Sequence, residues 1–248
     1  MLEVVDLNKS FGSLLVTDNV SFRLEKGERR VVLGPNGAGK TTLFNMLAGE
    51  LAPSSGDILL RGKSVTSLPV EARARLGISR SYQKNNLFEG FTIRENLSLA
   101  AAAAMGLSKS LFRDTHRDPE LIRMVEDVAG QVGLGELLDV PVANATYGNR
   151  RQLEVGLALT NNPSVLLMDE PTSGVGPGMI KSFHKLLKSL SRELTILIIE
   201  HDMDLAFDVA DRITVMNYGK VVFEGTPDET KASRLVNEIY LGGWVSDA

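Results

Sequence analysis

The sequence contains no cysteine, so neither a disulfide framework nor a thiolate metal site is available to it. It also has no excess of positive charge: the formal net charge is −4 at pH 7, which argues against nucleic acid or an anionic membrane surface as its main partner. Long apolar runs are missing too, since the longest low-polarity segment, residues 97–107, is about half of the ~20 residues that a membrane-spanning helix needs. The first six residues lack the basic flank and apolar stretch of a signal peptide. We therefore expect a cytosolic protein that leaves any membrane crossing to another chain.

What is present is an ordinary globular composition, 43% hydrophobic and 23% charged, which supplies enough apolar material for a sizeable core. Short apolar or alternating runs predict strands at residues 2–7, 20–24, 31–33, 57–60, 165–168, 195–199, 213–216 and 221–223. Residues 86–154 contain no β-rich run, and Asp118 followed by Pro119 predicts the start of a helix there. Strands separated by helices favour a mostly parallel sheet, with the middle stretch as an inserted helical lobe.

Residues 34–41 read Gly-Pro-Asn-Gly-Ala-Gly-Lys-Thr and match the phosphate-loop pattern G-x-x-x-x-G-K-[ST]. They follow a predicted strand and open a predicted helix at residues 41–48, which is the context that the pattern requires. The glycines let backbone N–H groups approach phosphate oxygens, and the helix N-terminus adds positive potential. Lys40 adds a point charge, and the Thr41 hydroxyl can ligate Mg²⁺. The segment therefore predicts a nucleotide site.

Two carboxylates, Asp169 and Glu170, follow the predicted strand at residues 165–168, and ligands of open α/β sheets sit at such strand ends. Asp169 can hold the Mg²⁺ shell, while Glu170 can orient or deprotonate an attacking water. The phosphate loop alone leaves kinases, GTPases, helicases and transporter ATPases open, and an acidic pair at a strand end is common. A soluble P-loop switch or kinase is thus the alternative of a different class. Against a GTPase, the one Asn-Lys pair, Asn8-Lys9, precedes the phosphate loop instead of following it as a guanine reader.

Further features, taken with these two, resemble the ABC ATPase family over nearly the whole chain. Residues 144–149, Asn-Ala-Thr-Tyr-Gly-Asn, resemble the signature sequence of that family, and residues 173–177 lie where its dimer loop follows the acidic strand. Phe11 stands where the family has an aromatic residue that stacks on adenine, Gln83 matches its glutamine loop, and His201 matches its switch histidine. Taken singly, Phe11 also fits a core position and Gln83 a surface amide. Their order and spacing relative to the phosphate loop favour the family roles.

The resemblance implies a RecA-like, mostly parallel α/β core with an N-terminal antiparallel β subdomain and an inserted α-helical lobe. It also implies ATP and Mg²⁺ as cofactors and divides the site residues into three groups. The catalytic group comprises Glu170, His201, Gln83 and Lys40. The nucleotide-binding group comprises Phe11, Val16, Asn36, Gly37, Ala38, Gly39, Lys40, Thr41, Thr42, Thr146 and Gly148. The metal group comprises Thr41, Gln83 and Asp169.

The organisation implied by the resemblance is one ABC ATPase domain over residues 1–248. We expect its nucleotide-binding core at residues 1–85 and 155–226, a helical lobe with the signature at 86–154, and a C-terminal helical tail at 227–248. Such a domain is peripheral to the cytoplasmic face of the inner (plasma) membrane and serves membrane-spanning permease subunits. The expected assembly adds a second ATPase subunit, identical or not, and a periplasmic or extracellular substrate-binding protein. No nucleic acid partner is expected.

Two departures from the family pattern concern the surface that faces the second subunit. The signature usually begins Leu-Ser and ends Gly-Gln or Gly-Glu, where this chain has Ala145-Thr146 and Gly148-Asn149. Thr146 keeps a hydroxyl, Gly148 keeps the close backbone approach, and Asn149 keeps an amide that is one methylene shorter. Gly176 stands where the dimer loop normally has Asp or Asn. We interpret these changes as weakened coupling between the two sites, without loss of activity.

Several runs are similar to the ATP-binding subunits of branched-chain amino-acid importers: residues 80–83, 87–88, 92–97, 200–203, 224–227 and 240–242. The helical lobe is also long, as in that branch. Residues 68–75 instead suggest the lipopolysaccharide-export ATPase, which typically has a shorter lobe. We therefore predict an ATPase that powers import of a small substrate, such as a branched-chain or other hydrophobic amino acid or a related amide. The alternatives are an ATPase of lipopolysaccharide export and a weakly active ATP-binding clamp subunit.

Overall fold

The structure, a computed structural model, describes residues 1–81, 87–107, 118–174 and 177–241. These residues form two compact units. The first unit takes the described residues of Met1–Arg73, Leu167–Glu170 and Ser191–Ala248. The second unit takes the described residues of Ala74–Leu166 and Pro171–Leu190.

Strands and helices are numbered in chain order. The strands are β1 (Leu2–Phe11), β2 (Leu14–Leu24), β3 (Arg29–Leu33), β4 (Ser55–Leu60), β5 (Lys63–Ser64), β6 (Ile78–Arg80), β7 (Val165–Asp169), β8 (Thr195–Ile199), β9 (Arg212–Asn217) and β10 (Lys220–Gly225). The helices are α1 (Lys40–Ala48), α2 (Val70–Arg75), α3 (Ile93–Ala104), α4 (Pro119–Gln131), α5 (Tyr147–Leu159), α6 (Pro177–Ser189), α7 (Met203–Val209), α8 (Pro227–Ala232) and α9 (Arg234–Leu241). Every strand predicted from the sequence is present. β5 and β6 were not predicted, because two and three residues are too few to show a pattern.

The first unit contains an antiparallel sheet of four strands in the order β2-β1-β4-β5. β1 and β2 form a hairpin in which Phe11 lies opposite Leu14, and Gly12, with φ 61°, makes the turn between them. Alternation along β1 puts Leu2 and Val4 in the core, and a strand irregularity at Asp6, with φ 46°, puts Leu7 there as well. This sheet brings the end of β1 to the surface of the unit, where the Phe11 side chain is 52% exposed.

The second sheet of the first unit has the strand order β10-β9-β3-β8-β7. β3 pairs in parallel with both β8 and β9, as the predicted parallel core requires, and β9 pairs antiparallel with β10. Every residue of β3, β7 and β8 is buried, which explains the apolar runs at residues 31–33, 165–168 and 196–199 within them. The turn of the β9–β10 hairpin has two left-handed residues, Tyr218 at φ 46° and Gly219 at φ 79°.

The C-terminal end of α1 is held by a buried arginine. Gly49 ends the helix in the left-handed conformation, with φ 89°. The Arg73 guanidinium, 1% exposed, donates hydrogen bonds to the carbonyl oxygens of Met46 at 2.6 Å, Leu47 at 2.8 Å, Thr66 at 2.8 Å and Leu68 at 2.9 Å. Burial lowers the pKa of Arg73 to about 10, so the side chain still carries its charge at neutral pH. It therefore satisfies last-turn carbonyls that a helix end leaves without partners.

The second unit is mainly helical. α3 begins with a capping box between Thr92 and Glu95, and α4 begins at the predicted Asp118 cap, whose carboxylate accepts from the backbone N–H of Glu120. The apolar face of α4 is formed by Leu121, Val125, Val128 and Ala129, which are buried, and by Ile122, which is 37% exposed at its edge. Near the start of β7, the Gly77 carbonyl oxygen before β6 accepts the backbone N–H groups of residues 164 and 165. Among the residues that the structure describes, no helix combines the length and apolar composition that crossing a membrane requires.

Candidate functional site

The phosphate loop connects β3 to α1 and depends on two left-handed glycines. Gly37 has φ 79° and Gly39 has φ 95°, conformations that a residue with a Cβ adopts only under strain. Gly39 is the N-cap of α1 and supplies no side chain to cap it. The first-turn N–H groups of α1 are thus available to an anion, as the sequence pattern predicts. Asn36 and Gly37 are exposed at the tip of the loop, and a Cβ at Gly37 would meet open space.

Two neighbouring segments hold this loop closely. A Cβ at Gly39 would lie 2.6 Å from the carbonyl oxygen of Val16 in β2, so only glycine fits there. The N–H of Gly219 in the β9–β10 turn donates to the carbonyl oxygen of Ala38 at 3.1 Å, and the N–H of Asp18 donates to the carbonyl oxygen of Gly219 at 2.9 Å. Val16, which the family resemblance places against the nucleotide, therefore lies directly beside the loop.

Lys40 lies inside the loop, with only 6% of its surface exposed. Its Nζ donates to the carbonyl oxygen of Gly34 at 2.6 Å and to that of Pro35 at 3.0 Å. Burial lowers the pKa of Lys40, and the carboxylates of Glu170, Asp169 and Glu200 oppose that shift. The ammonium group is therefore fixed in a position where it faces three acidic groups, while Thr41 is exposed and Thr42 half-buried in the first turn of α1.

The acidic pair lies where β7 ends. Asp169 is 6% exposed as the last residue of the strand. Glu170 follows in the left-handed conformation, with φ 43°, and its backbone N–H donates to the carbonyl oxygen of Ile199 at 2.8 Å. A non-glycine residue in that conformation is strained, and such strain is concentrated at functional sites. The Nδ1 atom of His201 lies 3.7 Å from Oε1 of Glu170. The first unit thus brings Lys40, both carboxylates and His201 together.

Phe11 is exposed, which excludes the core position that the sequence left open for it. More than half of its surface is accessible, at 52%, so it is not a core residue. The Nζ of Lys9 lies 5.2 Å from the centre of the ring and donates to the carbonyl oxygen of Ala52 at 2.7 Å. An exposed ring can stack on a base. The sequence did not predict the cation–π attraction between the Lys9 ammonium group and this ring.

The signature residues belong to the second unit and form the start of α5. Thr146 is the N-cap: its Oγ1 accepts the backbone N–H of Asn149 at 3.2 Å and donates to Oδ1 of Asn149 at 2.6 Å. The Nδ2 of Asn149 in turn donates to Oε1 of Gln152 at 3.0 Å. A Cβ at Gly148 would lie 1.7 Å from Cε of Met179, so a side chain at this position would require the flexible Met179 side chain to move. The side chain of Asn149, which is one methylene shorter than a glutamine, therefore accepts a hydrogen bond from the Thr146 hydroxyl. The family resemblance assigns that hydroxyl to nucleotide binding.

Some predicted site residues lie outside the part of the chain that the structure describes, and one residue of the site was not predicted from the sequence. Gln83, Val175 and Gly176 lie outside the described residues. The sequence reasoning also missed Glu200, a fully buried carboxylate beside His201. The signal that could have identified it is an acidic residue directly after the buried strand β8, the same arrangement that identified Glu170 after β7.

Comparisons with known proteins agree with this fold. The family model of ABC transporters matches residues 17–173. The chain is 36% identical over 251 residues to the high-affinity branched-chain amino acid transport ATP-binding protein LivG of Salmonella typhimurium, with 98% of each chain covered. It is 31% identical over 243 residues to the lipopolysaccharide export system ATP-binding protein LptB of Haemophilus influenzae, with 98% of this chain and 97% of that protein covered. The solved ADP conformation of MJ1267, an ATP-binding cassette of an ABC transporter, matches with a TM-score of 0.85 at 27% identity over 98% of both chains.

Fold and site together define a P-loop nucleotide-binding protein. The family match covers more than half of the chain, and the relatives match it along nearly its whole length. The chain therefore belongs to the ABC transporter family. Within that family it is an ATP-binding subunit with ATPase activity, the kind of subunit that works with membrane permeases, and the predicted fold class is confirmed.

Proposed function

We propose that this chain is one of a pair of ATPases that power the import of branched-chain or other hydrophobic amino acids, or of a related amide. The observation that carries the proposal is the convergence of Lys40, Asp169, Glu170 and His201 in a protein that is 36% identical over 98% of its length to a branched-chain amino acid transport ATP-binding protein. In this proposal the subunit is a peripheral protein at the cytoplasmic face of the inner membrane.

Each of the site residues in the first unit has a separate role in the proposed reaction. The exposed Phe11 ring stacks on adenine beside Val16, and the N–H groups of the loop and first helical turn, residues 36–42, hold the phosphates. Lys40 places its charge on the β- and γ-phosphates, and Glu170 orients and deprotonates the attacking water. His201 contacts the γ-phosphate.

The residues present fit a magnesium ion bound together with the nucleotide. Thr41 offers an exposed hydroxyl, and Asp169 is a carboxylate at the strand end beside the loop, both of them oxygen ligands of the kind that Mg²⁺ prefers. Gln83 would complete the set. When bound, the ion neutralises part of the phosphate charge. These protein groups hold the ion together with phosphate oxygens, since Mg²⁺ in ATPases is seldom held by protein ligands alone.

The proposed assembly is a head-to-tail pair in which each phosphate loop faces the signature of the other subunit. Thr146 and Gly148 of one subunit then contact the γ-phosphate held by the other. Because this contact exists only with ATP bound, ATP shifts the equilibrium toward the closed pair, and hydrolysis releases it. The predicted helical lobe at residues 86–154 and Gln83 carry this motion to the permease. The second ATPase is the same chain or a related one, and an extracytoplasmic binding protein delivers the substrate.

Export of lipopolysaccharide is the second candidate function, because the chain is 31% identical over 98% of its length to an ATPase named for that process. The higher identity to the amino-acid transport subunit, 36%, favours import. An uptake experiment separates the two. Cells of the source organism that carry only a Lys40→Ala copy should lose uptake of radiolabelled leucine and keep normal surface lipopolysaccharide. Retained uptake with defective lipopolysaccharide would reverse the assignment.

The ATPase step is tested on the purified chain, with and without its co-purified membrane partners. We expect Glu170→Gln to keep ATP binding while hydrolysis slows by about 10²–10⁴-fold, the usual contribution of a positioned general base. Wild-type turnover in this variant would remove Glu170 from the proposed role.

A further inference from the structure

One buried carboxylate of the site has no part in the proposed reaction. Glu200 is 0% exposed, directly after β8 and directly before His201. Its Oε2 accepts the backbone N–H of His201 at 3.1 Å, and the N–H of Asp202 lies 3.4 Å from the same oxygen. The backbone N–H of Glu200 donates to the carbonyl oxygen of Val32 in β3 at 3.1 Å. The carboxylate is therefore fixed relative to the strand that leads into the phosphate loop.

Burying a carboxylate completely is costly, so a turn that only needed capping would be served equally by Ser, Thr or Asn. Glu200 instead places a charge close enough to Lys40 to influence its ionisation. It also lies 3.7 Å, measured from Oε2, from Nδ1 of His201. A role toward these neighbours accounts for the burial better than a role in the turn.

The imidazole of His201 stands between two carboxylates. Its Nδ1 is 3.7 Å from Oε1 of Glu170 and 3.7 Å from Oε2 of Glu200. Neither separation is yet a hydrogen bond, so a small rotation of the imidazole selects one partner or the other. The two partners differ in their surroundings, because Glu170 is 31% exposed and Glu200 is fully buried.

We propose that Glu200 is a positioning residue: its carboxylate accepts a hydrogen bond from Nδ1 of His201 and so directs Nε2 of the imidazole toward the γ-phosphate. This inference rests on the proposed roles of Glu170 and His201. A bond from Nδ1 to Glu170 would occupy the carboxylate that must act on water. A bond from Nδ1 to Glu200 leaves Glu170 free and fixes the orientation of the ring, as carboxylate partners of functional histidines do elsewhere.

The test uses the purified full-length chain and four variants: Glu200→Gln, His201→Ala, the double variant and Glu28→Gln. Glu28 is the control for loss of a buried carboxylate at the opposite end of β3 from the phosphate loop, since it is 8% exposed and accepts the backbone N–H of Glu25 at 2.7 Å. It also accepts the Nε–H of Arg30 at 2.7 Å, so its substitution removes a buried ion pair as well. We expect Glu200→Gln to lower kcat about 10-fold, as loss of a supporting partner typically does, with KM for ATP within about twofold of wild type. Glu28→Gln should leave both constants near wild type.

The double variant separates positioning from a merely structural role. His201→Ala should lower kcat by about 10²-fold. If Glu200 acts through His201, adding Glu200→Gln to it should change kcat by less than about twofold, because the interaction is already lost. Losses that multiply would overturn the inference, as would a Glu200→Gln enzyme no slower than the Glu28→Gln control.

A second variant covers the case in which Glu200→Gln does not fold, as judged by ATP affinity and circular dichroism. Glu200→Asp keeps the charge, and its kcat should stay within about threefold of wild type; a folded Asp variant as slow as His201→Ala would overturn the inference. Failure of the proposed function gives a different result. In that case the wild type does not hydrolyse ATP, or Glu170→Gln does not slow it.

Discussion

Replacing Glu170 by glycine is expected to stabilise the fold while it inactivates the enzyme. Glu170 is held in the left-handed conformation, with φ 43°, by the end of β7 and by its N–H bond to the carbonyl oxygen of Ile199 at 2.8 Å. A residue with a Cβ loses roughly 1–2 kcal/mol in that conformation, whereas glycine adopts it freely. The strained position leaves Oε1 of Glu170 3.7 Å from Nδ1 of His201, so it is compatible with a role in the site.

The expected gain follows from two opposing effects. Relief of the strain contributes about 1–2 kcal/mol to the free energy of unfolding. Glycine also makes the unfolded chain more flexible, which removes about 0.4–1 kcal/mol. The net gain is therefore about 0–1.6 kcal/mol, with a central value of about 0.8 kcal/mol. Glu170→Gln is the matched control, because it loses the same carboxylate but keeps the Cβ and hence the strain.

Urea unfolding of both variants without nucleotide measures the difference between their free energies of unfolding. ATP turnover measures the loss of activity that the two variants share. Both should hydrolyse ATP about 10²–10⁴-fold more slowly than the wild type. The glycine variant should unfold at a higher urea concentration than the glutamine variant, with the same m-value. A glycine variant that is no more stable than the glutamine variant would refute the argument that strain is stored at Glu170.

Three further predictions concern the phosphate loop, the signature and the arginine at the C-terminal end of α1. Lys40→Ala should abolish ATP binding at micromolar nucleotide in a folded protein, measured by calorimetry, and retained affinity would contradict the phosphate-loop assignment. Asn149→Gln should release the Thr146 hydroxyl and tighten the ATP-dependent pair by about 1 kcal/mol in a Glu170→Gln background, measured by light scattering; an unchanged or weaker pair would show that the departure is compensated. Arg73→Met removes four hydrogen bonds from a charged group and should lower the free energy of unfolding by about 3 kcal/mol, whereas a loss below about 1 kcal/mol would show that water replaces them.

The sequence by itself determined the longer strands, the phosphate loop and the acidic pair. These features are local: residues 31–33, 165–168 and 196–199 are buried and therefore form short apolar runs, and Gly37 and Gly39 stand where the backbone requires positive φ. The Asp118 cap is local in the same sense, because its carboxylate meets the N–H of Glu120 only two residues away. Local geometry of this kind can be predicted from residue type and spacing.

Only the tertiary structure decided features that depend on partners far along the chain. It placed Phe11 at the surface, which neither its type nor its spacing could establish. It showed Arg73 bonded to carbonyl oxygens of Met46 and Leu47, more than twenty residues earlier in the chain. It also buried Glu200 beneath His201, where a sequence shows only an acidic residue before a histidine. The cost of burying a charge, and the partner that offsets it, are properties of packed neighbours, and a single sequence does not list which residues those neighbours are.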